Sequence, residues 1–112
     1  MDITISGRHV DITQAMKDHA HEKSALLLRF WDRLERVGVT LDVDNTQQVA
    51  EFVAVGPKGS KFVARVAETD MYKSIDLAAH KVERQLKRHH EKLTNGKIRR
   101  RRKAERRLAP ES

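Results

Sequence analysis

The 112-residue sequence contains no cysteine. That excludes disulfide staples, thiol nucleophiles and zinc sites built on thiolates, and it fits a reducing compartment. No apolar run approaches the ~20 residues that span a bilayer, and the first residues lack the basic-then-apolar layout of a leader. The expectation is a soluble, cytoplasmic protein with no membrane partner. Aromatics are scarce, with three Phe, one Trp and one Tyr. That argues against a sheet platform on which single-stranded RNA stacks its bases, although one stacking contact is compatible with it. Trp31 and Tyr72 are the aromatics least suited to a core.

Catalytic patterns are missing as well. There is no G-x-S-x-G, and the carboxylates are scattered. Gly56-Pro57-Lys58-Gly59-Ser60-Lys61 lacks the phosphate-loop spacing and joins two strand-like runs, so it reads as a turn. His19 and His21 are two residues apart, which turns them away from each other on a helix. The expectation is no enzyme, no metal, no cofactor and no small-molecule substrate.

What the chain has is segregated positive charge. Residues 1–69 carry 9 Lys/Arg and 10 Asp/Glu, whereas residues 70–112 carry 14 and 6. All of the net charge of +7 therefore comes from the last two-fifths of the chain. A concentrated basic region favours a polyanion partner. The plain alternative is a solvated helix face, but a second basic block over residues 97–107 reinforces the first.

The hydrophobic pattern predicts β-α-β-β-β-α. Ile3 and Ile5 alternate with polar residues before Gly7, which makes a first strand. Thr13 is an N-cap candidate, and Met16, Ala20, Leu27 and Phe30 then recur at helical spacing to about residue 31. Val37, Val39, Leu41 and Val43 alternate as a second strand. Residues 48–55 and 61–68 form a hairpin around Gly56-Pro57-Lys58-Gly59. Both faces of the third strand are partly apolar, so alternation does not orient it. Asp70 precedes a helix over about 71–93, closed by Asn95-Gly96. The expected architecture is α+β: a four-stranded sheet with both helices on one face, spanning residues 1–95, followed by a flexible basic tail over 96–112. The length of the first crossover suits a parallel pairing of strands one and two.

On a wheel of ~100° per residue, the last helix is a two-faced rod. Ile75, Ala78, Ala79, Val82, Leu86, His89 and Leu93 share one side. Lys73, Lys81, Arg84, Lys87, Arg88 and Lys92 lie nearly opposite, spaced to track a phosphate backbone. Such contacts give affinity without reading base identity. Lys23 lies near the apolar meridian of the first helix. Spacing leaves open whether its stem is packing, with the ammonium in water, or whether it joins the basic surface.

Several segments resemble the ribosome hibernation-promoting factors, the family that includes protein Y. Asp70-Met71-Tyr72-Lys73-Ser74-Ile75-Asp76 with Lys81-Val82-Glu83-Arg84-Gln85-Leu86 resembles that family's second helix. Ile3-Thr4-Ile5-Ser6-Gly7 with Asp11-Ile12-Thr13-Gln14-Ala15 resembles its first strand and helix start, and Phe30-Trp31-Asp32-Arg33 sits where its first helix ends. The resemblance covers about residues 1–95. It implies a fold similar to double-stranded-RNA-binding domains, and occupation of the decoding region of the small ribosomal subunit, across the messenger and tRNA sites. It also implies inhibition of translation in stationary phase or stress. The partners it implies are the small subunit and its rRNA, met by a protein that is monomeric when free. Family RNA-contacting cations match here at Lys23, Lys81, Arg84, Arg88 and Lys92. The length is similar to the short form, so self-sufficient pairing of ribosomes is not expected. The basic tail departs from the acidic one of protein Y, and makes Arg99, Arg100, Arg101 and Arg102 candidate RNA contacts. The alternative function is a general module for structured or double-stranded RNA.

Overall fold

A computed structural model describes the backbone of residues 1–108 and the side chains of residues 1–90. The elements are β1 (Asp2–Arg8), α1 (Gln14–Leu26), a 3-10 turn (Leu27–Arg29), β2 (Arg36–Asp44), β3 (Gln47–Val55), a second 3-10 turn (Pro57–Gly59), β4 (Lys61–Glu68) and α2 (Met71–Leu108). The strands form one sheet in chain order. β1 pairs in parallel with β2, and the remaining pairs are antiparallel. The expected element order and the parallel crossover are both present.

Register explains how the core is built. Ile3, Val37, Ala54 and Phe62 stand across the four strands in one row, and Ile5, Val39, Phe52 and Ala64 in the next. Because side chains alternate along each strand, these rows share one face. Both helices cover that face, α1 against β1 and α2 against β3 and β4. The third strand is thereby oriented, with Ala50, Phe52 and Ala54 inward and fully buried. Burying a side chain such as Phe52 contributes about 1.5–3 kcal/mol.

Local chemistry fixes the ends. The Met16 N–H donates to Thr13 Oγ1 at 3.1 Å, satisfying one orphan donor of α1. Ser74 Oγ donates to the Gln48 carbonyl at 2.6 Å, tying the first turn of α2 to β3. In the β3–β4 turn, Lys58 (φ 58°) and Gly59 (φ 75°) are left-handed. Gly56 leaves room for Trp31, because a Cβ there would run into the indole ring.

Two boundaries differ from expectation. The first helix stops being α-helical at Leu26, well before residue 31, and tightens into the 3-10 turn. The apolar spacing continues past that point, but Leu27 is buried while Trp31 must reach over Gly56. A tighter final turn reconciles the two demands. The second helix does not close at Asn95-Gly96; its backbone is helical to Leu108. A mid-helix glycine costs about 1 kcal/mol relative to alanine, and the Lys, Arg, Ala and Glu on its far side all favour helix.

Candidate nucleic-acid interface

α2 carries the site. Its buried side is Met71, Ser74, Ile75, Ala78, Ala79, Val82 and Leu86. That fixes its rotation and leaves Lys73, Lys81, Arg84, Lys87 and Arg88 exposed on the opposite side. The two-faced reading of this helix holds over the described side chains. Lys92, Arg99, Arg100, Arg101 and Arg102 lie outside the described side chains, as does Leu93. Lys81, Arg84, Gln85 and Arg88 line a shallow groove of about 180 Å³ with no aromatic wall. Gln85 Nε2 also donates to the Val63 carbonyl at 2.9 Å, which seats this side of the helix on the edge strand β4.

The other margin of the stripe faces α1. His19 Nε2 donates to Asp76 Oδ1 at 2.6 Å, and Lys23 Nζ lies 3.8 Å from the same oxygen. The Tyr72 ring meets the His19 ring edge-on at 5.3 Å. One carboxylate on α2 thus holds two side chains of α1. Lys23 is about one-third exposed, so its stem packs and its ammonium stays at the surface. The packing reading of Lys23 is thereby met, and its ammonium is placed beside the exposed side of α2. The Asp76 clasp escaped the sequence reading because an acid inside a basic stripe looks like dilution. Its signal was the one-turn spacing of His19 and Lys23, which puts both on one face of α1. His80 and Glu83 pair at 3.3 Å one turn further on.

The other notable side chains are structural. Trp31 packs against Phe62 and His89, with ring centroids 5.9 and 4.8 Å away. His89 is half-buried in this aromatic cluster, on the core side as its periodicity predicts. Among the described residues no helix is long and apolar enough to cross a membrane.

Residues 3–94 match the family of sigma 54 modulation protein / S30EA ribosomal protein. The ribosome hibernation promoting factor of Pseudomonas putida is 40% identical over 92 residues, covering 82% of this chain and 89% of that protein. The crystal structure of the Thermus thermophilus Protein Y N-terminal domain aligns with a TM-score of 0.71 at 32% identity, over 80% of this chain and 99% of that one. A ribosomal subunit interface protein from Coxiella burnetii aligns with a TM-score of 0.72 at 26% identity, over 81% and 99%. The chain belongs to the sigma 54 modulation protein / S30EA ribosomal protein family.

Proposed function

We propose that this protein is a ribosome hibernation factor that docks its helical face on the rRNA of the small subunit. In this reading it occupies the decoding region, across the messenger and tRNA sites, and keeps ribosomes idle in stationary phase or stress. It acts by occupancy, as a cytoplasmic monomer, and performs no reaction. The observation that carries the proposal is the row of exposed cations at Lys73, Lys81, Arg84, Lys87 and Arg88, opposite the buried side of α2. Lys23, held by Asp76, extends that row toward α1. Lys92 and the tail arginines 99–102 continue it in sequence, with residues 96–112 as an accessory arm. Hibernation is supported by relatives named as hibernation promoting factors over most of the chain.

Sedimentation with small subunits tests the proposal. The protein should co-sediment at low salt and be released steeply as salt rises from ~50 to ~200 mM, because every phosphate contact releases counterions. A flat salt response would remove the cation row as the contact surface. A second reading, a general binder of structured RNA, is favoured by the groove lined by Lys81, Arg84, Gln85 and Arg88, which suits any phosphate track. Excess free duplex RNA should compete poorly if the small subunit is the specific partner, and fully if it is not.

A further inference from the structure

We propose that the groove beside the C-terminal end of α1 is a subsite for one unpaired ribonucleotide, with the base on Phe30 and its phosphate between Arg29 and Lys87. The inference rests on the RNA-binding reading and adds a contact of different chemistry to it. The groove has a volume of about 470 Å³ and is lined by Arg29, Phe30, Lys87 and His90. Phe30 caps the 3-10 turn Leu27–Arg29 and lines this groove together with Lys87 and His90 of α2. Its ring is half-buried and packs against the core, while Lys87 Nζ sits 5.2 Å from the ring centroid.

That contact shows where the open face of the ring points. It lies within reach of a charged group on the exposed side of α2. Among the described residues it is the one place where a cation lies over an aromatic ring. The neighbouring groove at Lys81, Arg84, Gln85 and Arg88 has cations that can hold phosphate but no aromatic ring to offer a base. At Phe30 both halves of a nucleotide find a partner. An exposed ammonium–ring contact is weak and readily exchanged for an ammonium–phosphate contact. Lys87 would swing to the phosphate, and the vacated ring face would take the base. A paired base has its faces covered by its neighbours, so the subsite selects a bulged or looped-out nucleotide.

The test uses the full chain and two RNAs of equal length, a perfect duplex and the same duplex with one bulged nucleotide. Wild type should bind the bulged RNA at least about fivefold more tightly, the lower end of what base–aromatic stacking supplies. Phe30→Leu should lose that preference while binding the duplex as before, and Phe30→Tyr should keep it. Arg29→Gln should shrink the preference without touching the ring, which covers the case of a Phe30→Leu variant that fails to fold. Equal affinity of wild type for both RNAs would overturn the subsite and leave the RNA-binding reading standing. Equal losses on both RNAs in Phe30→Leu would also overturn it, by making the ring a packing element. Binding to neither RNA, with small-subunit binding intact, would overturn the subsite as well.

Discussion

The sheet has two faces, and the molecule treats them oppositely. On the bare face, register sets Asp2 across from Arg36, Arg8 across from Asp42 and Glu51 across from Arg65. Counting Asp44 and Lys61, that face carries four carboxylates and four cations, which largely cancel at a distance. On the helical face, Lys73, Lys81, Arg84, Lys87 and Arg88 meet only Asp76 and Glu83 within the described part of α2. Asp76 is already engaged by His19 and Lys23. Net charge alone would describe a basic protein; the placement makes it one-sided. A one-sided field orients the molecule before contact, which speeds docking and disfavours wrong poses.

The strongest way to break this contrast is to reverse charge on the helical side. Lys81→Glu, Arg84→Glu and Arg88→Glu together should abolish small-subunit binding. Circular dichroism melts should move little, since exposed substitutions usually change stability by under ~0.5 kcal/mol each. If the triple variant still co-sediments near physiological salt, the docking face lies elsewhere. A matched pair of neutral variants sharpens the comparison. Removing Lys81, Arg84 and Arg88 as alanines should weaken binding by orders of magnitude, while removing Arg8, Arg36 and Lys61 should weaken it only a few-fold. Equal losses would mean that net charge matters and placement does not.

A smaller effect is expected from ending the chain at Gly96. Among the described residues the buried cluster runs from Ala20 to Leu86, well inside the cut, so the truncated protein should keep its melting temperature and bind less tightly. A large drop in melting temperature would show that residues 97–112 pack. The least effect should come from Asp76→Asn. It retains an acceptor for His19 but removes a carboxylate from the basic side. Stability should fall by no more than about 1 kcal/mol, as for other exposed pairs. Affinity for small subunits should rise slightly, read from sedimentation at fixed salt.

The helical face was legible in sequence because one period sorted it. Residues such as Val82 and Arg84 fall on opposite sides of any α-helix, whatever surrounds it. The fold was legible for the same reason, with alternation at Val37, Val39 and Leu41 and turn chemistry at Lys58 and Gly59. What escaped depended on contacts remote in sequence. Alternation does not say which side of Ala50 and Phe52 meets a helix; register with β2 and β4 does. Trp31, just past the 3-10 turn at Leu27, packs over Gly56, 25 positions later, a contact that helical spacing does not reveal. The run of α2 past Asn95-Gly96 shows the limit of local stop signals, which are weighed against propensity on both sides.

Among the described residues β1 is an edge strand whose one partner begins 34 positions later, across a parallel crossover, with Asp2 opposite Arg36. The strands β2, β3 and β4, by contrast, are joined by tight turns and pair with their neighbours in the chain. Closing the long loop costs chain entropy that the two short hairpins avoid. The order of assembly that follows has the three-stranded meander nucleating with α2, and β1 with α1 docking last. The amino-terminal strand is then the first to peel away under native conditions, and its amides should exchange with deuterium ahead of those around Phe52.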